Sequence, residues 1–322
     1  MPEVTVIIPV YNREQCVGRA IQSVIDQTFS DFELLMIDDH STDNSVQIIQ
    51  QHIDKDSRIS LIMHDKNRGA QAARNTGIKV AKGTWIAFLD SDDEWLPKRI
   101  QTELSLANEL GVSVVHSACY LKQENSELKL LGVPQLSGNI YKDLLKHPGP
   151  MFQGLLVRKE CFERIKYLDE AIVSYQEWET AIRLAEFYPF AYAEEPLFIY
   201  HYHKGETISK DVRKGIEGWS QIVKKHHKEI IRVAGFDALL IHYQILANQY
   251  YTIKDYKNYC FYYKELMANT KGFEKLKLKL KIFLTKLHIN PGIVDININQ
   301  IIKYLKRKIA LIGLRKHKDQ AI

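Results

Sequence analysis

Apolar residues recur with two different spacings along the first 116 residues. Short runs rich in β-branched and aromatic residues predict five strands, at residues 4–8, 32–37, 58–63, 84–89 and 112–116. Apolar residues three and four apart predict a helix after each of the first four strands, at residues 13–27, 43–53, 69–81 and 96–110. The last helix is expected to stop at Gly111. Strands that alternate with helices predict a parallel sheet with helices on both faces, and the nearly continuous apolar strands fit such burial.

The pattern changes in the second third of the chain. Residues 120–150 are polar and rich in Gly and Pro, so we expect a mobile excursion there. Residues 151–209 resume a mixed pattern of strands and helices, and residues 212–270 are helix-like and rich in Tyr. Further on, residues 276–281 alternate Leu and Lys, which suits either a strand or an irregular basic helix, and residues 301–314 predict an amphipathic basic helix.

These changes predict two parts of different charge. The first is a domain over residues 1–210, with halves at 1–117 and 118–210, and the second is a helical extension over 211–322. Residues 271–322 contain 13 Lys and Arg against 3 Asp and Glu, whereas the whole chain carries only +5. A slightly acidic body with a basic tail argues against a nucleic-acid binder built on the main domain. It indicates an anionic partner for the tail alone.

Composition excludes several further classes. With 45% hydrophobic and 26% charged residues among 322, the chain is too apolar to be disordered and long enough for a large core. The apolar runs are strand-sized and fall short of a membrane span, and Met-Pro-Glu followed by a strand-like run does not resemble a signal peptide. Four scattered cysteines without CxxC spacing predict free thiols rather than a zinc site.

Carboxylates follow two of the predicted strands. They are Asp38 and Asp39 after the second strand, and Asp90, Asp92 and Asp93 after the fourth. Because ligands of an open parallel sheet bind at the carboxyl ends of its strands, we expect these side chains to share one edge. Clustered carboxylates repel one another unless a cation, a proton or hydrogen bonds compensate. Hard oxygen ligands on a strand-to-loop turn suit Mg²⁺ or Mn²⁺. Asp43, in contrast, is expected to do no more than open its helix.

A glycine cradle for phosphate is missing from the sequence. Neither a GxxxxGK[ST] loop nor a GxGxxG after the first strand occurs. A nucleotide would therefore be held by a metal and side chains. Asn67-Arg68-Gly69 and Arg74, at the start of the third helix, could present a cation and amides to a diphosphate. An equal alternative is that Arg74 only forms a structural ion pair.

Taken in order, these motifs resemble the signature of family-2 glycosyltransferases. The resemblance rests on the segments TVIIPVYNR at 5–13, IDDHSTD at 37–43, NRG at 67–69, ARNTG at 73–77 and FLDSDD at 88–93. It extends over about residues 1–209. Each motif is weak alone, but the set in this order is highly specific. The resemblance implies an α/β protein with a GT-A (Rossmann-like) fold, in which helices flank a mostly parallel central sheet, plus a helical C-terminal extension.

The resemblance also implies an activity and a site. The enzyme would be an inverting, metal-dependent hexosyl- or N-acetylhexosaminyltransferase using a nucleotide-sugar donor, with a nucleotide-binding first half and an acceptor-binding second half. Asp39 would meet the uracil edge, Asp90 the ribose, and Asp92 the metal, Mn²⁺ or Mg²⁺. The full set implied to bind the nucleotide sugar is Pro9, Tyr11, Asn12, Arg13, Asp39, Asn67, Arg74, Asp90, Ser91 and Asp92.

The catalytic base of such enzymes usually lies in a Glu-Asp-Trp-Asp stretch that opens a helix. The match is Gln176-Glu177-Trp178-Glu179, in which Glu177 takes the place of the base and Gln176 replaces a glutamate. Glu179 is the alternative base, although Trp178 favours the register that selects Glu177. An ion-pair role is expected for Glu179 and for Arg183. A Tyr-Arg-x-His stretch of the family matches residues 200–203 and makes His203 a candidate metal ligand, with His201 in place of the arginine.

Other functions fit fewer of these features. A sugar-phosphate nucleotidyltransferase would need a glycine-rich first loop, and a nucleic-acid binder would need interleaved aromatics. A degenerate nucleotide-sugar or glycan-binding module is the third alternative.

The expected partners are a nucleotide-sugar donor, a glycan or lipid-linked acceptor and, through the basic tail, an anionic membrane surface. Oligomer formation stays open, and for the tail an oligomer contact or a solvated face is an equal alternative. The predicted location is the cytoplasm, with peripheral attachment to the inner face of the plasma membrane through the tail.

Overall fold

The computed structural model describes residues 1–124, 126–202, 211–269 and residue 279. It divides into two compact units, of which the first is Met1–Phe236 and the second begins at Asp237. Among the described residues, the first unit is built on one mixed sheet with helices on its faces. Thus the first unit extends past residue 210, the boundary that the sequence predicts between domain and extension, and includes the first helix of that extension.

The first half of this unit alternates strands and helices as the hydrophobic pattern predicts. Its strands are β1 (Val4–Val10), β2 (Phe32–Asp38), β3 (Ile59–Met63), β4 (Trp85–Phe88) and the two-residue β5 (Glu94–Trp95). Its helices are α1 (Val17–Ile25), α2 (Ser45–Ile53), α3 (Ala70–Val80) and α4 (Arg99–Leu110). As predicted, α4 ends at Gly111, which adopts the left-handed conformation with φ of 65°.

The second half of the unit contains both regular strands and short helices. Its strands are β6 (Val114–Gln123), β7 (Lys129–Leu131), β8 (Leu155–Arg158) and β9 (Phe190–Tyr202). Its helices are α5 (Tyr141–Leu144), α6 (Lys159–Arg164), α7 (Gln176–Ala185), α8 (Val212–Lys225) and α9 (His227–Glu229), and a 3₁₀ turn at Phe152–Gly154 precedes β8. The expectation of a mobile excursion over residues 120–150 is therefore wrong in part, since the end of β6, β7 and α5 lie within it.

In the described part of the chain, nine strands form one sheet. The order along it is β3-β2-β1-β4-β8-β6-β9-β5, and β7 pairs with β6. The pairs β3–β2, β2–β1, β1–β4 and β6–β9 are parallel, whereas β8 runs antiparallel to both β4 and β6. The predicted strand at residues 112–116 thus belongs to the longer β6. In the sheet, β8 lies between β6 and β4, an insertion that the hydrophobic pattern did not indicate. The predicted mostly parallel α/β fold is confirmed.

Packing of the core leaves the polar residues that follow the strands at one edge of the sheet. All seven residues of β1 are buried, because helices cover both faces of the strand. At Gly77 of α3, a β-carbon would lie 2.7 Å from the Ile7 side chain, so only glycine lets the helix approach β1 this closely. Burial of the apolar strands leaves the polar residues that follow them at the carboxyl edge. That edge carries the candidate site.

The second unit contributes two described helices, α10 (Phe236–Thr252), which starts at the boundary, and α11 (Tyr256–Ala268). They pack on each other through tyrosines, such as Tyr250 and Tyr262, whose rings stack with centroids 5.7 Å apart. The helical, tyrosine-rich character expected of residues 212–270 is confirmed up to residue 269. The alternating segment 276–281, of which only residue 279 is described, and the predicted helix at 301–314 lie outside the described residues.

Candidate active site

A cleft of about 1110 Å³ opens at the carboxyl edge of β1, β2 and β4, and residues at the start of α7 also line it. It brings together all but one of the candidate site residues that the sequence predicts. The residues that line it are Pro9, Tyr11, Asn12, Arg13, Asp39, Asn67, Arg74, Asp90, Ser91, Asp92 and Glu177. The exception is His203, which lies outside the described residues.

The loop after β1 is fixed to the loop after β2 by hydrogen bonds. The Asn12 N–H donates to Ser41 Oγ at 3.0 Å, and Asn12 Oδ1 accepts from the Thr42 N–H at 2.8 Å. Asn12 itself adopts a left-handed conformation with φ of 50°, which asparagine tolerates better than most residues. Asp43 accepts from the Ser45 N–H at 2.9 Å at the start of α2, in the helix-opening role expected of it.

Asp39 is buried and accepts three hydrogen bonds. His64 Nδ1 lies 2.7 Å from its Oδ1, and the N–H groups of Arg68 and Gly69 donate to it at 2.9 and 2.7 Å. His64 Nε2 in turn lies 2.9 Å from Thr76 Oγ1 on α3. The carboxylate that the resemblance assigns to the nucleobase therefore also ties the loop before α3 to β2.

Buried Arg74 and partly exposed Asp90 form an ion pair that lines the cleft. Arg74 Nη2 lies 2.6 Å from Asp90 Oδ1, and its guanidinium packs over the Phe152 ring with 4.3 Å to the ring centroid. Arg74 Nη1 also donates to Gln176 Oε1 at 3.5 Å. The two interpretations of Arg74 are thus not exclusive, because the residue that forms the ion pair also lines the cleft.

Asp92 follows Asp90 on the same turn and faces two arginines. Its Oδ2 lies 3.8 Å from Arg13 Nε, and its backbone carbonyl accepts from Arg19 Nη2. Among the described residues, no three His, Cys, Asp or Glu side chains are grouped so that they alone could hold a metal ion. The hard oxygens of Asp92, with the phosphate oxygens of a bound donor, are nevertheless the donor set that Mg²⁺ and Mn²⁺ prefer. The side chains present therefore fit a divalent ion that is shared with the substrate.

Asp93 is the least exposed carboxylate of the turn. Burial raises the pKa of Asp93 well above its usual range, and the neighbouring charges of Asp92 and Asp90 raise it further. Its Oδ1 accepts from the His201 N–H at 2.8 Å, and its Oδ2 from Gln153 Nε2 at 2.6 Å. This concentration of acidic groups is the electrostatic feature that the sequence predicted for the sheet edge.

Glu177 lies half-buried in the first turn of α7 and lines the same cleft as the sheet edge. The helix begins after Tyr175, which has a left-handed φ of 56°, and buried Trp178 fixes its rotation by donating to the Leu144 carbonyl at 2.7 Å. Burial raises the pKa of the Glu177 carboxyl. The helix N–H of Glu177 and the charge of Arg74 lower its pKa, and the charge of Asp90 raises it.

Glu179, two residues along the same helix, has the ion-pair role expected of it. It is fully buried and accepts from Arg183 Nε at 2.7 Å and from Lys225 Nζ at 2.6 Å. Despite burial, hydrogen bonds from His226 and Arg183 and the Arg183 charge lower the pKa of Glu179 to about 2. Glu179 is absent from the cleft wall, whereas Glu177 lines it.

Sequence reasoning missed His64 and Gln153, which contact the nominated carboxylates directly. Gln153, in the 3₁₀ turn before β8, donates through Nε2 to Asp90 at 2.7 Å and to Asp93 at 2.6 Å. His64 stands directly after β3, so the strand-end rule that selected Asp39 could have found it. No local pattern marks Gln153, since its partners lie 63 and 60 positions away in the chain.

Comparison with known proteins places this site in a family. The profile described as glycosyl transferase family 2 matches residues 5–165. The glucosyltransferase WfgD of Escherichia coli, named for transfer from UDP-Glc to α-D-GlcNAc-diphosphoundecaprenol, is 36% identical over 45% of this chain and 56% of its own length. The putative colanic acid biosynthesis glycosyl transferase WcaA of E. coli K12 is 28% identical over 76% of this chain and 88% of its own. The matched segments span only about half of the length of WfgD and of EpsJ from Bacillus subtilis (55%).

Solved structures confirm the fold. Residues 1–349 of Staphylococcus aureus TarS, in complex with UDP-GlcNAc, match with a TM-score of 0.63 at 18% identity, covering 89% of this chain and 88% of that one. The mannosyltransferase PcManGT of Pyrobaculum calidifontis, in complex with GDP-Man and Mn²⁺, matches with a TM-score of 0.59 at 14% identity, covering 86% and 78%. The expected GT-A fold is therefore confirmed. Because the family profile covers half of the chain, and its motifs meet in one cleft, the protein belongs to glycosyl transferase family 2.

Proposed function

We propose that this protein is an inverting glycosyltransferase that moves a hexose or N-acetylhexosamine from a UDP-sugar to a hydroxyl of a glycan or lipid-linked glycan. The observation that carries the proposal is the position of Glu177. It lines the same cleft as Asp39, Arg74 and Asp92, and burial raises the pKa of its carboxyl. A base placed opposite a nucleotide-binding edge is what single-displacement sugar transfer requires. The name of WfgD supports a diphosphoundecaprenol-linked acceptor, and the TarS complex supports a UDP-sugar donor.

The sheet edge is proposed to bind the donor. Tyr11, 45% exposed at the end of β1, offers a ring face to the nucleobase, while Asp39 offers a fixed acceptor to an N–H donor such as that of uracil. Asp90 would accept from the ribose hydroxyls. Arg74 and the N–H groups at the start of α3 would meet the diphosphate.

Asp92 is proposed to hold a divalent ion, Mn²⁺ or Mg²⁺, with His203 from outside the described residues as a second ligand. When bound, such an ion supplies positive charge to the departing diphosphate. Arg13 is close enough to orient the Asp92 carboxylate, since Arg13 Nε lies 3.8 Å from Asp92 Oδ2. Fixing the donor in this way is expected to reduce the entropy cost of reaction.

Glu177 is proposed to accept the proton of the attacking hydroxyl. The acceptor oxygen bonds to the anomeric carbon while the bond to the diphosphate breaks on the opposite face, so the configuration inverts. A base works best when its pKa is near the working pH, and the raised pKa of Glu177 moves it in that direction. Gln176, uncharged and held by the Ile172 carbonyl at 2.9 Å, adds no second negative charge beside the base.

A donor screen tests the proposal. The full chain is incubated with UDP-Glc, UDP-GlcNAc, UDP-Gal or GDP-Man, with MnCl₂, and with a diphospho-lipid GlcNAc acceptor, and the anomeric configuration of the product is read by NMR. Transfer with inversion from a UDP-sugar supports the proposal. Binding of UDP-sugars without transfer or hydrolysis would favour a binding module, and release of pyrophosphate from UTP and a sugar phosphate would favour a nucleotidyltransferase.

The basic tail is proposed to bring the enzyme to an anionic membrane surface, where each Lys or Arg contributes about 1 kcal/mol. No helix among the described residues has the length and apolar character that a membrane span requires. Flotation of the full chain with phosphatidylglycerol vesicles, compared with neutral vesicles at equal salt, tests this partner. Equal recovery with both kinds of vesicle would contradict it.

A further inference from the structure

The side-chain amide of Gln153 bridges the two ends of the turn that carries Asp92. Its Nε2 lies 2.7 Å from Asp90 Oδ2 and 2.6 Å from Asp93 Oδ2. A primary amide has two N–H donors, so one can point at each carboxylate. Gln153 is only 4% exposed, so water has little access to replace it.

Each of these carboxylates is also held from its other side. Asp90 Oδ1 pairs with Arg74 Nη2 at 2.6 Å, and Asp93 Oδ1 accepts from the His201 N–H at 2.8 Å. The Asp93 N–H donates to the Asp90 carbonyl at 3.1 Å and closes the backbone of the turn. The Gln153 side chain thus links Asp90, which Arg74 of α3 holds, to Asp93, which His201 of β9 holds.

The 3₁₀ turn that carries Gln153 is itself firmly placed. Trp95 Nε1 donates to the Gln153 carbonyl at 3.1 Å, and Arg74 packs over the ring of neighbouring Phe152. At Gly154 a β-carbon would come within 2.7 Å of the Phe198 ring, so the turn fits closely against β9. The amide is therefore positioned before any ligand binds, and little rearrangement is available to it.

The chemistry of the turn requires such a bridge. Asp90 and Asp93 contact the same nitrogen, and without a donor between them they would repel each other in a poorly solvated place. Asp92, between them in sequence, would then lose the geometry in which it faces the cleft. We propose that Gln153 is a positioning residue for donor binding, which fixes the Asp90–Asp93 turn so that Asp90 is presented to the ribose and Asp92 to the divalent ion that the donor diphosphate would share. This inference rests on the proposed function.

Substitution of Gln153 by a residue of similar size without donors tests the inference. For Gln153→Met we expect the Kd for UDP, measured by calorimetry with MnCl₂, to rise about tenfold or more, since two hydrogen bonds to carboxyl oxygens are lost. The KM for the donor should rise to a similar extent, whereas kcat should change far less. Gln153→Asn keeps the amide but shortens its reach, so it should give a smaller rise and serves if the methionine variant does not fold.

Gln27→Met is the matched control. Gln27 is also buried, at 7% exposure, and makes hydrogen bonds to Ser23, Leu96 and Ile100, but it does not line the cleft. It should lower the melting temperature and leave the Kd for UDP unchanged. Unchanged UDP binding in both Gln153 variants, or an equal loss in Gln27→Met, would overturn the inference alone. A wild-type chain that binds neither UDP nor GDP would overturn the proposed function together with it.

Discussion

The sheet edge and the first turn of α7 both present carboxylates to the cleft, but they hold them differently. At the edge, Asp39 accepts three hydrogen bonds, and Asp90 is fixed between Arg74 and Gln153. At the start of α7, burial has the largest effect on the pKa of Glu177, and it acts against ionisation. Asp39 and Asp90 are thus held in place by several donors, whereas the surroundings of Glu177 favour uptake of a proton.

This difference matches the two roles proposed for the cleft, which are donor binding and proton transfer. A carboxylate that must recognise ribose or a metal gains from rigid partners, because its geometry then does not change on binding. A base gains from weaker stabilisation of its charge, because its proton affinity then approaches that of the group it deprotonates. Glu179 supplies a contrast within the same helix, since its ion pairs with Arg183 and Lys225 lower its pKa to about 2. Such a carboxylate would be a poor base.

The largest expected effect is on turnover by Glu177→Gln. General-base catalysis is worth typically 10²–10⁴-fold, so kcat should fall on that scale while the Kd for UDP stays within about twofold of wild type. Steady-state transfer assays and calorimetry measure the two quantities. The control is Glu186→Gln, at the exposed opposite end of α7, which should keep full activity.

Two outcomes would remove Glu177 from its proposed role. Near wild-type turnover in Glu177→Gln would show that another group accepts the proton. An equal loss in UDP binding would show that Glu177 belongs with the binding carboxylates, and the contrast between the two sides of the cleft would disappear.

Next in size is a loss of stability in Glu179→Gln. Removing one partner of a buried ion pair costs on the order of 3 kcal/mol, because Arg183 and Lys225 lose their counter-charge. The folded-state pKa of about 2 lies below the usual value of 4.5, so the stabilisation is complete above about pH 4.5 and is lost as pH falls toward 2. Urea unfolding should therefore show a large gap between wild type and variant at pH 7 and a gap of less than half that size at pH 3. An equal gap at both values would contradict the ion-pair account.

Asp92→Asn should affect donor binding more than turnover. Loss of the charge is expected to raise the Kd for UDP in the presence of MnCl₂ about ten- to a hundredfold, the usual worth of a charge-assisted contact. Titration of UDP with MnCl₂ and with EDTA separates the metal-dependent part. Asp143→Asn on α5, exposed and away from the cleft, is the control. A variant that binds UDP as wild type does would place the metal elsewhere.

The sequence predicted the sheet edge better than the rest of the site for a physical reason. Strands β1 to β4 and the helices between them each bury their own apolar pattern, so spacing alone located Asp39, Asp90 and Asp92 at strand ends. Observed helix starts differ by a few residues, as in α1, which begins at Val17 rather than at residue 13, because the Arg13 N–H donates to Ser45 at the start of α2 and the Glu14 N–H donates to Asp43 in the loop after β2.

Pairing in the second half could not be predicted in the same way. The short apolar run of β8 gives no sign that it inserts antiparallel between β4 and β6. Gln153 and Gln176 meet Asp90 and Arg74 across 63 and 102 positions of the chain, and only tertiary packing brings them together. Glu177 was located through the resemblance and the position of Trp178, rather than through any periodicity.

The smallest expected effect, near neutral pH, is the dependence of kcat on the protonation of Glu177. Its pKa is raised, so the ionised, reactive form should be lost as pH falls through a value above the usual 4.5. At saturating donor and acceptor, kcat should be nearly constant from about pH 7 to 8 and fall up to tenfold per unit on the acid side. The residual activity of Glu177→Gln should lack this acid limb, because no proton is then left to titrate at that position, whereas Glu186→Gln should retain it. An acid limb at or below pH 4.5 would mean that the charge of Arg74 lowers the pKa of Glu177 by more than burial raises it. The surroundings of Glu177 would then no longer favour uptake of a proton, and only its position would suit it to the role of base.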